Sequence, residues 1–331
     1  MSKRHPILML VLFMLILHFL SCSSIHVSDR SDLDVTLYYN HDNPETTWPL
    51  DIMSFEKIAK GIGLTSKRVD YRFINNNESF FNKDDQRKFE VLLIPGSVPK
   101  GLFGQRFDRA INCEGVNNIL AFIRSGGSVI GLCWIGSALF SSDAERLQSS
   151  MQEAQKGLWD KTHSGRGYFL SLCGSYAFNG VIRGPQDTNR PYPKSRFLPI
   201  KMNPDNELVK ESNLQSVIYQ TVVGGGSIIA AKGQPLDIVG WYPNGTVAIG
   251  IVPYGKGHII MSNPHPNITG KAAEIWLNHS WEIHARQMLW TEGMISREKK
   301  ILKDMIDPDG PDPDWTLAKA MLQYAYRKAL K

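Results

Sequence analysis

Ser125–Ser142 reads SGGSVIGLCWIGSALFSS. Gly126 and Gly127 close the stretch before it, and Ser128–Leu132 is a short apolar run. From there Gly131-Leu132-Cys133 leads into a small-residue segment with helical potential. The pattern predicts a strand, a tight turn and a helix. A short strand that is apolar throughout, rather than alternating, is what a parallel sheet covered on both faces requires.

Working outward, the same pattern repeats. Val116–Arg124 has the spacing of a short amphipathic helix, ended by the Gly126-Gly127 signal. Phe89–Pro95 (FEVLLIP) is another buried-strand run, Asp34–Tyr39 (DVTLYY) reads as a strand and Asp51–Gly61 as a helix. Arg68–Ile74 (RVDYRFI) alternates like a strand. Strands alternating with helices predict an α/β fold, a parallel sheet flanked by helices.

The second half changes character. Tyr168–Cys173, Phe178–Arg183, Ser216–Val223, Ile238–Tyr242, Val247–Val252 and His258–Ser262 are strand-like and separated by Gly, Pro and Asn. Lys271–Gln287, Ser296–Met305 and Trp315–Ala329 look helical, with DPDGPDPD at Asp307–Asp314 as a linker. The expected organisation is a leader over 1–22, a linker over 23–33, one α/β domain with strand-rich additions over 34–270, and a helical C-terminal tail over 271–331. Trp276, Trp281, Trp290 and Trp315 are expected to pack that tail against the domain.

Three segments carry chemistry. The turn at Gly131-Leu132-Cys133 has the layout of a nucleophile elbow, which lifts one side chain above the sheet and places it at a helix N-terminus, where a thiolate is favoured. The alternative is that Cys133 simply fills a strand end as a small hydrophobe. Gly255–Gly270 (GKGHIIMSNPHPNITG) delivers His265 between two prolines at the end of a strand, a rigid mount for a base. A surface histidine in a proline turn would look alike. Val91–Ser97 (VLLIPGS) leaves its strand through Pro95-Gly96, where backbone N–H groups could face an anion.

Taken in order, these segments resemble the class I glutamine amidotransferase-like superfamily, and within it the N-terminal domain of biotin–protein ligases and its stand-alone relatives. The likeness is carried by Ile94-Pro95-Gly96-Ser97, Gly126-Gly127-Ser128, Gly131-Leu132-Cys133, Gly255-Lys256-Gly257 and Ser262-Asn263-Pro264-His265-Pro266-Asn267. It implies a flavodoxin-like sheet with Cys133 as nucleophile, His265 as base, and Gly96, Ser97 and Trp134 as oxyanion N–H donors. Tyr219 and Gly225, in the stretch from Tyr219 through Gly224-Gly225-Gly226, match the family's Tyr and Gly-rich strand and would border the substrate pocket. The family's Gly two residues after the Cys is Ile135 here, and its Glu after His-Pro is Asn267. Asn can orient an imidazole by hydrogen bonding but brings no charge. These two departures support a rival expectation, a non-catalytic envelope protein that keeps the fold to hold a small ligand or peptide. Ser164-Gly165-Arg166-Gly167 resembles the core of a biotin ligase catalytic domain, but Tyr168 stands where another Arg belongs, and ligase activity is not expected.

The remaining signals narrow the context. Lys3 and Arg4 precede a fourteen-residue run, Ile7–Leu20, broken only by His18, and Phe19-Leu20-Ser21-Cys22 resembles a bacterial lipobox. The chain is therefore expected to be exported, with a lipid anchor on Cys22, ordinary cleavage or an uncleaved anchor. Loss of residues 1–22 would remove two basic residues and take the net charge from +5 to +3. With no basic cluster interleaved with aromatics, nucleic acid is not an expected partner. A composition of 42% hydrophobic and 21% charged residues over 331 positions excludes a disordered, collagen-like or coiled-coil chain. The four cysteines make no disulfide framework and no paired metal spacing, although a Cys113–Cys173 bond is compatible with export. No metal or cofactor is expected. Asn77, Asn244, Asn267 and Asn278 open N-x-[ST] sequons, and a glycan on Asn267 would block His265.

Overall fold

The computed structural model describes residues 33–39, 49–96, 111–133, 181–184, 195–223, 227–230, 235–267 and 315–331, with isolated positions between 292 and 300. The sheet and its helices belong to the unit Asp32–Lys331. The leader, Cys22 and the expected elements at 168–173 and 271–287 lie outside the described residues, as does Cys173.

The strands that read as continuous apolar runs form the centre of the sheet. β1 (Val35–Tyr38), β3 (Val91–Ile94) and β4 (Ser128–Leu132) are buried at every position. β1 pairs in parallel with both β2 (Ser66–Val69) and β3, β3 pairs with β4, and β4 pairs with β11 (Gly257–Ser262), again in parallel. The parallel half thus has the order β2-β1-β3-β4-β11. That is the flavodoxin-like order, with β11 as its fifth strand although residues 133–256 separate it from β4 in the chain.

Side chains alternate between two cores, as the pleat dictates. Val35, Leu37, Val91, Leu93, Ile130 and Leu132 face one core, shared with Ile52 and Phe55 of helix α1 (Pro49–Gly61). Leu92, Ile94, Val129, Ile259 and Met261 face the other, where Val116, Ile119, Phe122 and Ile123 of α3 (Cys113–Arg124) cover them. Helices therefore lie on both faces. The C-terminal helix, Thr316–Ala329, belongs to the first core through Leu317, Ala318, Met321, Leu322 and Ala325, and Trp315 packs there as expected.

Beyond β11 the pairing turns antiparallel, through β10 (Val247–Tyr254), β9 (Asp237–Trp241), β6 (Ser195–Met202) and β7 (Val217–Val223). β8 (Ser227–Ala230) joins β10 and β5 (Val181–Gly184). These are the strand-rich additions. β6 is not expected from the sequence, where Pro199 interrupts the pattern; it is tolerated because β6 pairs with β9 only at Lys201 and Met202.

One element differs outright. The strand expected over Arg68–Ile74 ends at Val69, and Tyr71–Ile74 is a short helical turn, α2. Asp70 causes the switch, because its side chain accepts from the N–H groups of Arg72 and Phe73 and caps the turn.

Candidate active site

The carboxyl ends of β3, β4 and β11 meet at one place, the crevice where flavodoxin-like sheets carry their sites. Gly96 follows β3, Cys133 follows β4, and His265 lies three residues beyond β11. Asp51, from the first turn of α1 after β1, joins them.

Cys133 is buried and has φ = 58°, in the left-handed region that costs a non-glycine residue about 1–2 kcal/mol. Backbone strain at a strand-to-helix turn is the signature of a nucleophile elbow. What is described of the expected turn is this positive φ at the end of β4. Trp134, Ile135 and Gly136, which complete it, lie outside the described residues, as do Ser97 and Gly225.

The His265 loop is held by its backbone. Asn263 N–H donates to Ala248 at 3.1 Å and His265 N–H donates to Thr221 at 2.8 Å, tying the loop to β10 and β7. The Ser262 hydroxyl donates to the Pro264 carbonyl at 2.9 Å. His265, Asn263 and Asn267 are completely buried. The imidazole is thus a fixed group with no surface character.

Asp51 is the site residue that no motif signals. Its buried carboxylate lies with Oδ1 3.1 Å from His265 Nδ1. The same oxygen accepts from Asn267 Nδ2 at 2.9 Å, and Oδ2 accepts from the Gly96 N–H at 2.8 Å. The sequence shows only an acid in the first turn of a helix, a placement the helix dipole explains without any site. Because the carboxylate must accept, Nδ1 carries a proton, and Nε2 is left for the nucleophile and substrate.

Gly96 corrects one expectation. Its single N–H is committed to Asp51, so it does not serve the oxyanion as the resemblance implies. What it supplies is space: a Cβ there would sit 2.6 Å from His265 Cε1, 3.0 Å from Cys133 Cβ and 3.1 Å from Asp51 Oδ2. The three side chains crowd a point that only glycine leaves open.

Burial alone would push the His265 pKa down. The Asp51 carboxylate and Cys133, through charge and hydrogen bonding, overcome it and raise the value to about 10. At neutral pH the imidazole is therefore the charged form, between a carboxylate and the Cys133 sulfur. An imidazolium so placed is the usual partner of a nucleophilic thiolate.

The side chain of Asn267, two residues after His265, acts on the imidazole at one remove. It holds Asp51, which supplies the charge that Asn lacks. Because Asn267 is buried and its amide nitrogen donates to Asp51, a glycan on its sequon is incompatible with this arrangement. Tyr219, expected at the pocket, lies on β7 two residues before Thr221 and is 55% exposed. Among the described residues no cluster of His, Cys, Asp and Glu suits a metal ion.

No family model matches the chain, and no curated protein does. Among solved structures it is similar to a glutamine amidotransferase from Thermotoga maritima, at 12% identity and TM-score 0.47 over 89% of this chain and 98% of that one. A glutamine amidotransferase from Methylobacillus flagellatus aligns at 9% identity and TM-score 0.45, over 91% and 96% of the two chains. A ThuA-like protein from Bacteroides uniformis aligns at 9% identity and TM-score 0.37, over 73% and 85%.

Proposed function

We propose that this chain is a cysteine-dependent hydrolase of the class I glutamine amidotransferase-like type, acting on an amide or related C–N or acyl bond. Its motifs make the biotin–protein ligase N-terminal family the likeness to pursue. The observation that carries the reading is the convergence of a strained Cys133, at φ = 58°, with a buried His265 whose Nδ1 faces Asp51. Strain and a buried charged pair both cost stability, and a chain that only filled a strand end with a small hydrophobe would need neither.

In the proposed cycle Cys133 Sγ attacks the acyl carbon and forms a C–S bond. The C–N bond breaks as His265 Nε2–H gives its proton to the departing nitrogen. Water then attacks the thioester, His265 Nε2 takes a proton from it, and the C–S bond breaks to release the acid and restore the thiolate. Asp51 keeps the imidazole in one tautomer and stabilises its charge throughout. The oxyanion role falls to the N–H groups of Ser97 and Trp134.

The test is alkylation of Cys133 at neutral pH in residues 23–331, read by peptide mapping, with His265→Ala as control. Labelling that is fast in the wild type and at least tenfold slower in the control supports the hydrolase. Slow labelling in both turns the reading over to the envelope binding protein.

We further propose that the chain acts outside the cytoplasm, on the strength of Lys3, Arg4, the Ile7–Leu20 run and Cys22. Labelled fatty acid incorporated into the wild type but not into Cys22→Ala supports a lipid anchor. Cleavage without incorporation supports simple export.

A further inference from the structure

We infer that Trp315 is a positioning residue for the site, and that the C-terminal helix thereby belongs to the reacting apparatus; this rests on the hydrolase reading above. The indole Nε1–H of Trp315 donates to the Asn267 backbone carbonyl at 3.1 Å. The side chain of the same Asn267 donates from Nδ2 to Asp51 Oδ1 at 2.9 Å, and that oxygen faces His265 Nδ1 at 3.1 Å. A chain of contacts therefore runs from the start of the last helix to the imidazole.

Two observations argue that this contact serves the site rather than the helix. Trp315 occupies the N-cap of Thr316–Ala329 and makes no side-chain capping bond. Ser, Thr, Asp or Asn would stabilise the helix better there. The second is the state of Asn267, which is fully buried with Oδ1 lacking a hydrogen-bond partner among the described residues. An unsatisfied buried acceptor favours leaving the site for water. A side chain in that condition stays on Asp51 only if its backbone is fixed. His265 upstream is fixed to Thr221, and Trp315 fixes Asn267. Helix packing against the first core through Leu317 and Met321 makes the indole a rigid anchor.

Loosening Asn267 takes from Asp51 Oδ1 a donor that shares its negative charge with the imidazolium, so the carboxylate, still held by Gly96, stabilises the charged imidazole more strongly. The expected change is that of one ordinary hydrogen bond, about fivefold in an equilibrium and so roughly 0.7 pH unit in a titration.

The experiment compares wild type, Trp315→Phe, Asn267→Ala and the double variant in two readouts. One is the His265 titration midpoint, followed by NMR on histidine-labelled protein and assigned with His265→Gln. The other is the Cys133 labelling rate at pH 7. We expect Trp315→Phe to raise the midpoint by roughly half a unit and to leave labelling at pH 7, where the imidazole stays charged in both proteins, at the wild-type rate. Adding Trp315→Phe to Asn267→Ala should change neither, because no side chain remains to be positioned. Replacing Trp315 by benzothienylalanine, which keeps the ring shape and lacks the N–H, should repeat the Trp315→Phe result if the phenylalanine variant folds poorly. An unmoved midpoint in the benzothienylalanine protein, or effects that add in the double variant, overturns the inference. The hydrolase reading fails separately, if wild-type labelling is indifferent to His265→Ala.

Discussion

Asp51 and His265 are 214 positions apart in the chain, yet carboxylate and imidazole meet at 3.1 Å with both side chains wholly buried. The charge that a glutamate just after the His-Pro pair would bring from β11 arrives instead from the other side of the parallel sheet, on the helix after β1. Asp51→Asn tests whether that charge matters. The substitution keeps an acceptor for Gly96 but removes the charge and offers Nδ1 a wrong partner. The His265 titration midpoint should fall from about 10 by more than one unit. Any hydrolytic turnover should drop by about 10⁴, as the same Asp→Asn exchange does in a serine-protease triad. A midpoint that stays put would remove Asp51 from the mechanism.

Gly96→Ala probes the packing. The new methyl would overlap His265 Cε1 at 2.6 Å and press on Cys133 Cβ at 3.0 Å. Overpacking of this kind costs about 1–3 kcal/mol, and Cys133 labelling should lose its dependence on His265. Gly61→Ala is the control, since a Cβ there meets nothing within 4 Å and the residue closes helix α1. It should be neutral or stabilising by up to about 1 kcal/mol. Urea midpoints of the two variants check both statements.

Cys133 and His265 are legible in the sequence because each sits in a local pattern: an apolar strand ending in small residues, and a histidine between prolines. Asp51 has no such pattern, because its role is created by β1 and β3 lying side by side in the sheet. Asp70 defeats pattern reading for the opposite reason. Alternation in RVDYRFI suggests a strand, and one side chain capping two backbone N–H groups outweighs it. The last helix looks like a tail since its apolar stripe names no partner, and only the fold puts Leu317 and Met321 against Ile130 and Leu132 in one core.

Stability should depend on pH through His265. Unfolded, the imidazole titrates near ~6.5; folded, near about 10. A raised folded value means the charged imidazole's contribution is fully present below about 6.5 and is lost as the pH climbs through about 10. The melting temperature should therefore fall from pH 6 to pH 10. Burial also raises the Tyr38 and Tyr324 phenols, whose contribution is lost only above their unfolded range near ~10. His265→Gln separates the two, because it should flatten the decline below pH 10 and leave the one above it. An unchanged slope in that variant would show that the imidazole is not held charged.

The strain at Cys133 yields the last prediction. At φ = 58° any side chain with a Cβ is disfavoured by about 1–2 kcal/mol, and glycine is not. In ordinary buried strand or helix positions, exchanging Ala for Gly costs stability, through backbone entropy and a lost methyl. Here the strain runs the other way. Cys133→Gly should therefore equal or exceed Cys133→Ala in stability, by up to roughly 1 kcal/mol, while both abolish covalent labelling and turnover. Equilibrium urea unfolding of the pair decides it. If Ala is the more stable by the usual helix margin, the turn is relaxed, and the elbow that supports the hydrolase reading is lost with it.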